Sequence, residues 1–206
     1  ILRHFLAKGS LLEVASAGEL RRASEAGCPP ERILFAGPGK SEAELELALR
    51  HGIREIHAES ALELRRIGEI ARRLDVRARV AIRVNPGMEV QGGAMRMGGK
   101  PTPFGVDEES LDTVLDPILG DPAIDLRGLH VYAGTQILDP AVLARQYRRA
   151  VDIARRVAER MGIDGDVWRK ELRRAASRRD PRIDRERVVP RQAMTELERQ
   201  ILVVLF

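Results

Sequence analysis

Short apolar runs alternate along this chain with longer stretches whose apolar residues recur at helical spacing, and this alternation constrains the fold most. Strands joined through helices must run parallel, because a crossover is needed to bring the chain back to the same edge of the sheet. The pattern therefore predicts an α/β protein, and either a barrel or a doubly wound sheet fits it. The predicted strands are 12–15, 33–36, 55–58, 78–84 and 126–133. The predicted helices are 18–26, 42–51, 61–74, 108–119 and 141–161.

Several residues mark the ends of the predicted helices. Ser41 and Glu44 form a capping box, in which each side chain accepts a backbone N–H that the first turn leaves unpaired. Pro117 lies inside the helix at 108–119, so we expect the second half of that helix to be a turn or to be broken. Glycines follow three of the helices, where a left-handed cap favours a residue without Cβ: Gly27, Gly52 and Gly162.

Two segments interrupt the alternation. Residues 87–105 are rich in glycine and methionine without periodicity, which predicts a long functional loop. Residues 165–206 contain an arginine-rich stretch and then a short amphipathic helix. Charges balance over 1–164, so the net charge of +4 lies in this last part. We therefore expect one domain at 1–164 and an unrelated, charged helical tail of unknown role at 165–206.

Composition limits the class of protein. With 44% hydrophobic and 32% charged residues, the chain resembles soluble globular domains. The single cysteine cannot close a disulfide within the chain and no secretory leader is recognisable, so we expect a cytoplasmic protein. Aromatic residues amount to 3%, and no apolar stretch reaches the roughly 20 residues that span a bilayer. We therefore expect neither nucleic-acid nor membrane binding. The first residues, 1–7, look like the last turns of a helix, which suggests a fragment of a longer protein.

Common ligand-binding motifs are not matched. The segment 37–41, Gly-Pro-Gly-Lys-Ser, follows a strand as a phosphate-binding loop would, but Leu34 stands where that motif needs a glycine. An ordinary turn with a serine cap is favoured. Cys28 has no basic neighbour that would activate it. The four histidines lack the spacing of zinc ligands, so we expect no metal site: His4, His51, His57 and His130.

The densest group of polar residues follows the last predicted strand. Parallel α/β folds bind ligands at the carboxyl ends of their strands. Strand alternation places His130 and Tyr132 on one face, while Gly134 and Thr135 offer a backbone N–H and a hydroxyl to an anion. A structural histidine and tyrosine, buried and satisfied by neighbours, would explain the same residues equally well.

Six segments, in order, resemble fold-type III pyridoxal-phosphate-dependent amino-acid decarboxylases, the diaminopimelate and ornithine decarboxylase group. The resemblance covers about residues 1–164 and stops there. The segments are Leu12-Glu-Val-Ala-Ser-Ala-Gly-Glu-Leu20, Pro29-Pro-Glu-Arg-Ile-Leu-Phe-Ala-Gly-Pro-Gly-Lys40, Glu59-Ser60, Arg83-Val-Asn-Pro86, Pro103-Phe-Gly105 and His130-Val-Tyr-Ala-Gly-Thr-Gln136.

The resemblance implies a partial TIM-like (β/α) barrel, about strands two to six of eight, with pyridoxal 5'-phosphate at its mouth. It places Glu13, Arg83 and His130 as catalytic residues. Thr135 would lie close to the cofactor phosphate. Tyr132 stands where the family usually has a histidine stacked on the pyridine ring, so the electronic tuning of the ring would differ. Both are therefore expected to bind the cofactor.

The resemblance also exposes what this chain lacks. The family's lysine that carries the cofactor would lie just upstream of Ile1, and a second domain would follow. The lysines present, which include Lys8, Lys40 and Lys100, do not match that motif and are expected to be solvated. We expect the full-length enzyme to be a homodimer that decarboxylates an amino acid, which in some relatives is linked to a carrier. We expect this chain alone to be inactive. An amino-acid racemase on the same barrel and a non-catalytic remnant or interaction module remain alternatives.

Overall fold

The computed structural model describes residues 1–87, 104–132, 134 and 137–177. The strands are β1 (Leu12–Val14), β2 (Ile33–Phe35), β3 (Glu55–Ala58), β4 (Ala78–Asn85), β5 (Val106–Asp107) and β6 (Ile124–Val131). The helices are α1 (Leu2–Ala7), α2 (Ala17–Glu25), α3 (Glu42–His51), α4 (Ala61–Leu74), α5 (Leu111–Leu119), α6 (Pro140–Arg160) and α7 (Gly165–Ser177). The predicted alternation of strands and helices is confirmed.

All pairs of neighbouring strands in the sheet run parallel. The order is β1, β2, β3, β4, and β4 then pairs with β6 along most of its length and with β5 at its carboxyl end. Successive strands are thus added on one side, as in a barrel, whereas a doubly wound sheet reverses its order partway. The strand order therefore favours a barrel over a doubly wound sheet. Within the described residues this barrel is not closed. The short strand β5 was not predicted.

The helix ends follow the local sequence. The capping box at Ser41 is confirmed: its hydroxyl accepts from the Glu44 N–H, and the Glu44 carboxylate accepts from the Ser41 N–H at 2.9 Å. The side chains of Ser16 and Ser60 accept the Glu19 and Glu63 N–H groups and so cap α2 and α4. Gly52 ends α3 in the left-handed conformation, at φ 66°, as expected. These caps direct each helix to start just beyond the carboxyl end of a strand.

The expectation that Pro117 breaks its helix is wrong. Helix α5 continues through Pro117 to Leu119. A proline costs one backbone hydrogen bond and crowds the preceding turn. Burial of apolar side chains on both sides of the proline offsets this cost, because Leu115 is 0% exposed and Ile118 is 7% exposed.

Strand register gives the sheet two chemically different faces. Val14, Phe35, Ile56 and Val80 lie in one row across β1 to β4, and helices α2 and α4 contact these strands. This row belongs to the apolar core. The opposite face carries polar residues at the alternate positions. They include Glu13, Glu55, His57, Arg83 and His130.

The chain divides into two compact units, one with the sheet and α1 to α5, the other with α6 and α7. In the second unit, Pro140 occupies the first turn of α6 behind the cap Asp139, and Asp164 caps α7 through the Asp166 N–H at 2.7 Å. No helix within the described residues is long and apolar enough to cross a bilayer. Residues 88–103 of the predicted loop and the predicted terminal helix lie outside the described residues.

Candidate functional site

Four of the five predicted site residues lie on or directly after strands of the first unit. Glu13 is an exposed residue of β1, and Arg83 is a buried residue near the end of β4. His130 is paired with Arg83 in the register of β6, and Tyr132 follows that strand. Thr135 lies outside the described residues. The polar face of the sheet therefore brings Arg83 and His130 side by side, while the role of Thr135 stays a prediction.

Arg83 is held by a buried ion pair. Its Nη1 lies 3.2 Å from Oε1 of Glu59, and the two side chains are 8% and 2% exposed. The same carboxylate accepts the backbone N–H of Gly37 at 2.9 Å. Glu59 thus fixes both the arginine and the turn that follows β2. Two segments of the family resemblance, Glu59-Ser60 and Gly37-Pro-Gly-Lys, are therefore in direct contact in the fold.

A second buried ion pair lies beside the first. The Lys40 ammonium is 3.0 Å from Oε1 of Glu63, and it also donates to the carbonyls of Gly37 and His57. The other oxygen of Glu63 accepts the Glu59 N–H at 2.7 Å. The expectation that Lys40 is solvated is wrong, because its side chain is 0% exposed and all three of its donors are used.

Two aromatic rings contact the Arg83 guanidinium. Its central carbon lies 4.8 Å from the ring centre of Phe104 and 5.5 Å from that of Tyr132. Both distances are within the range of cation–π attraction. The Arg83 Nε is buried and has no hydrogen-bond partner among the described residues. The arginine is therefore oriented on one side by Glu59 and on the others by rings, and its buried Nε–H has no acceptor among the described residues.

Asn85, the last residue of β4, forms hydrogen bonds with the segment that begins at Phe104. Its side-chain amide donates to the carbonyl of Phe104 and to Oδ1 of Asp107, the latter at 3.4 Å. A second link is the Gly87 N–H, which donates to Glu108 at 3.2 Å. These bonds hold Phe104 beside Arg83, and so they explain why Asn85 and the Phe-Gly pair belong to the same site.

Two histidines and two glutamates form a second cluster on the polar face. The rings of His57 and His130 lie 4.5 Å apart with an interplanar angle of 34°. Nε2 of His57 is 3.0 Å from Oε1 of Glu55, and this hydrogen bond lowers the pKa of Glu55. One potential ligand atom from each of Glu13, His57 and His130 lies within 4.8 Å of the others. Burial, followed by the electrostatic effects of His57 and Arg83, lowers the pKa of His130 to about 4.

The lowered pKa of His130 makes stability depend on pH. Its pKa is about 4 in the folded protein and about 6.5 when unfolded, so acid protonates the unfolded chain first and favours it. We expect this loss to begin as pH falls through about 6.5 and to grow towards pH 4. Because the residue is half-buried, screening by solvent leaves an effect of about 1 kcal/mol at pH 5.

Urea unfolding between pH 7.5 and 4.5 checks this expectation. The His130→Gln variant should lose less free energy of unfolding over this interval than the parent does. His4→Gln, a change at an exposed histidine in α1, should leave the dependence as it is. Equal acid dependence in the parent and in His130→Gln would show that His130 titrates normally.

Comparison with known proteins assigns the family. Residues 1–167 match the family of pyridoxal-dependent decarboxylases, in the part described as the pyridoxal binding domain. This chain belongs to the pyridoxal-dependent decarboxylases. The resemblance in the sequence is confirmed, and the cofactor is pyridoxal phosphate.

Relatives of this pyridoxal-dependent decarboxylase chain include several decarboxylases. The L-glutamyl-[BtrI acyl-carrier protein] decarboxylase of Niallia circulans is 45% identical over 74% of this chain and 36% of its own length. The diaminopimelate decarboxylase of Zymomonas mobilis is 36% identical over 74% of this chain and 37% of its length. The crystal structure of diaminopimelate decarboxylase from Helicobacter pylori, complexed with L-lysine, has a TM-score of 0.72 and 32% identity, covering 79% of this chain and 41% of that one. The chain thus spans less than half of the length of each of these relatives.

The residues of the polar face fit an anionic, aromatic cofactor in part. Arg83 contributes positive charge and an Nε donor without a partner among the described residues, and Tyr132 contributes an aromatic ring. Of the lysines described in the first unit, Lys40 is engaged in its ion pair and Lys8 precedes β1, at the amino end of the strand. The described residues of the first unit therefore offer groups to bind and stack the cofactor, but no free lysine amine at the carboxyl edge of the sheet.

Sequence reasoning did not assign a role to several residues of the site. Glu59, Asn85 and Phe104 lie in segments that carry the family resemblance, but spacing alone does not indicate what they contact. His57 could have been found from strand alternation, since it shares a face with Glu55 two residues earlier. Glu63 lies in a helix, and only the tertiary fold brings it to Lys40.

Proposed function

We propose that this chain is the cofactor-binding part of a longer enzyme that decarboxylates an amino acid. The observation that carries the proposal is the buried Arg83, paired with Glu59 and flanked by the rings of Phe104 and Tyr132. A buried ion pair is expensive to form, so its presence at the ligand-binding edge of a parallel sheet points to a functional use.

Pyridoxal phosphate supplies the electron sink that accepts the electron pair released when carbon dioxide leaves. The protein has to bind this group, orient it and set the charge around it. Arg83 would provide a fixed positive charge, and Tyr132 an aromatic face for stacking. His130, whose pKa is about 4, is neutral at pH 7 and keeps one nitrogen as an acceptor and the other as a donor. Glu13 adds an exposed carboxylate at the same face.

Binding of the cofactor to this chain tests the role of Tyr132. We expect pyridoxal phosphate to bind without covalent attachment, and Tyr132→Ala to weaken binding by about 1 kcal/mol, or about fivefold, through loss of stacking. Titration calorimetry measures both affinities, and Phe5→Ala, a change at an exposed ring in α1, is the matched control. Borohydride reduction with peptide mapping should label no lysine stoichiometrically. Unchanged affinity in Tyr132→Ala would remove that residue from the site.

The reaction itself is tested on the full-length gene product. Release of labelled carbon dioxide from a carboxyl-labelled amino acid supports decarboxylation, whereas inversion of the α-carbon without release indicates a racemase. Absence of both reactions, with pyridoxal phosphate bound, supports a non-catalytic protein.

One observation favours a substrate carried on a protein. This chain is 45% identical to the L-glutamyl-[BtrI acyl-carrier protein] decarboxylase but 36% identical to a diaminopimelate decarboxylase over a similar length. We therefore propose a carrier-linked aminoacyl group as substrate. Comparing turnover of free glutamate, free diaminopimelate and glutamyl-carrier protein by the full-length enzyme tests this choice, and faster turnover of a free amino acid would contradict it.

A further inference from the structure

The rings of His57 and His130 are in contact although their strands are not neighbours in the sheet. His57 lies on β3 and His130 on β6, and each of these strands pairs with β4. Strands two places apart in a sheet are separated by about 10 Å. The two ring centres nevertheless lie 4.5 Å apart, within the range of an offset aromatic contact. The rings therefore meet above β4, and a small residue and a bulge allow them to do so.

The small residue is Ala81. It pairs with His57 on one side and with Gly128 on the other, so all three residues lie in one row on the polar face. At this level β4 contributes only a methyl group and β6 contributes no side chain. The space above Ala81 is thus available to the two rings, and a larger residue at this position would fill it.

The bulge lies in β6 and sets the face on which His130 lies. Consecutive residues of β4 pair with residues of β6 that are two apart: Val80 with Leu126 and Ala81 with Gly128. Arg127 is therefore an extra residue in β6. A shift of one residue exchanges the two faces of a strand, so without Arg127 the side chain of His130 would lie on the apolar face. Bulges often redirect a side chain next to a functional site, and this one brings His130 beside Arg83.

His57 is itself held by Glu55, two residues earlier on β3. Nε2 of His57 lies 3.0 Å from Oε1 of Glu55, and the His57 side chain is 7% exposed. The hydrogen bond lowers the pKa of Glu55, so its carboxylate is ionised at neutral pH and accepts the bond from the Nε2–H. The His57 ring is thus fixed by a hydrogen bond at one edge and by His130 at its face.

We propose that His57 is a positioning residue of the cofactor site and holds the ring of His130 in one orientation. The inference rests on the proposed function, because His130 belongs to the face that we assign to pyridoxal phosphate. Nδ1 of His130 is buried and has no hydrogen-bond partner among the described residues, so no bond at this atom orients the ring. Contact with His57 takes that part, as neighbours of a binding residue commonly do when they lock its rotamer.

Nuclear magnetic resonance of the ¹⁵N-labelled chain tests this restraint without any cofactor. The parent should give one set of ring signals for His130. In His57→Ala the signals should split or broaden, because the ring then samples several orientations. His51→Ala is the matched control, since it removes a half-buried histidine that bonds Ser24 at 3.0 Å away from the polar face. One sharp set of His130 signals in folded His57→Ala would overturn the proposal.

A second variant keeps the test decisive if His57→Ala does not fold, which circular dichroism will show. Ala81→Val leaves both histidines in place but fills the space in which their rings meet. It should split or broaden the His130 signals in the same way. Unchanged signals in a folded Ala81→Val would contradict the restraint.

A double-mutant cycle connects the restraint to the cofactor. Titration calorimetry should show that His57→Ala weakens pyridoxal phosphate binding by about fivefold, as expected for the loss of one coupled contact, whereas His51→Ala leaves it unchanged. In a chain that already carries His130→Ala, adding His57→Ala should have no further effect, because His57 acts only through His130. Additive losses, or unchanged affinity in His57→Ala, overturn the positioning role.

The proposed function fails on different results. If Tyr132→Ala binds pyridoxal phosphate like the parent while His57→Ala binds it more weakly, the stacking role of Tyr132 is wrong and the positioning role of His57 stands. If the parent binds no pyridoxal phosphate, the proposed cofactor site of this chain is wrong. The ring signals alone then decide whether His57 restrains His130.

Discussion

Replacing Glu59 by glutamine should destabilise the protein by about 3–5 kcal/mol, the largest effect that we expect from a single change in the site. Glutamine has the same shape and keeps an oxygen for the Gly37 N–H, which lies 2.9 Å from Oε1 of Glu59. It removes the charge, however, and leaves the 8% exposed Arg83 without its counter-ion. A buried charge that loses its partner keeps the full cost of its desolvation. Urea unfolding at pH 7 measures the difference.

Two further variants separate the ion pair from general effects of the substitution. Glu46→Gln makes the same chemical change in a carboxylate that pairs with Arg50 and Arg73 on the surface of α3, and it should have a much smaller effect. Adding Arg83→Met to Glu59→Gln removes the uncompensated charge and should recover part of the lost stability. If Glu59→Gln is no more destabilising than Glu46→Gln, the pair does not bear a buried charge.

The sequence was most informative where local rules decide structure. Helices 42–51 and 61–74 were predicted with the observed ends, because serine caps and Asp75 or Gly52 in left-handed conformations fix both termini. Parallel strands followed from the alternation alone. The order of those strands did not, since barrel and doubly wound sheets share the same local pattern and differ only in where successive strands are placed.

The site shows the opposite situation. Glu13 and Arg83 were found through a family resemblance, and His130 also through its place at the end of the last predicted strand, but their partners are set by tertiary contacts that no local rule encodes. Lys40 illustrates this limit: its position at the start of a helix suggests a solvated side chain, yet Glu63 lies 3.0 Å away and the ammonium is buried. The two histidines are another case, because His57 and His130 belong to strands far apart in the sequence, and only the fold brings their rings within 4.5 Å of each other.

The Arg83–Glu59 and Lys40–Glu63 ion pairs both contact the turn at Gly37. These contacts explain how the site offsets the free-energy cost of burying charged side chains. Glu59 holds the Gly37 N–H while Lys40 holds the Gly37 carbonyl, so the two pairs constrain both sides of the same residue. Glu63 then links the pairs through the Glu59 N–H. Every charge in this network has a partner, and rigid placement of Arg83 follows from it.

Replacing Gly105 by alanine should be the second most harmful change, at about 2–5 kcal/mol. Gly105 has φ +76°, a conformation that costs a residue with Cβ about 1–2 kcal/mol. A Cβ there would also lie 2.9 Å from Oδ1 of Asn85 and 3.1 Å from the carbonyl oxygen of Arg83. The carbonyl belongs to β4 and cannot move freely, so crowding adds about 1–3 kcal/mol.

The matched control for this crowding is Gly27→Ala. Gly27 has φ +84°, but nothing lies within 4 Å of an added Cβ. This variant should therefore lose only the stability that backbone strain costs at a left-handed position, about 1–2 kcal/mol. Urea unfolding of both variants isolates the steric part as their difference. Because the crowded atoms belong to Asn85 and Arg83, Gly105→Ala should also weaken pyridoxal phosphate binding, whereas Gly27→Ala should not. Equal losses of stability in the two variants would show that the chain at Gly105 yields without disturbing β4.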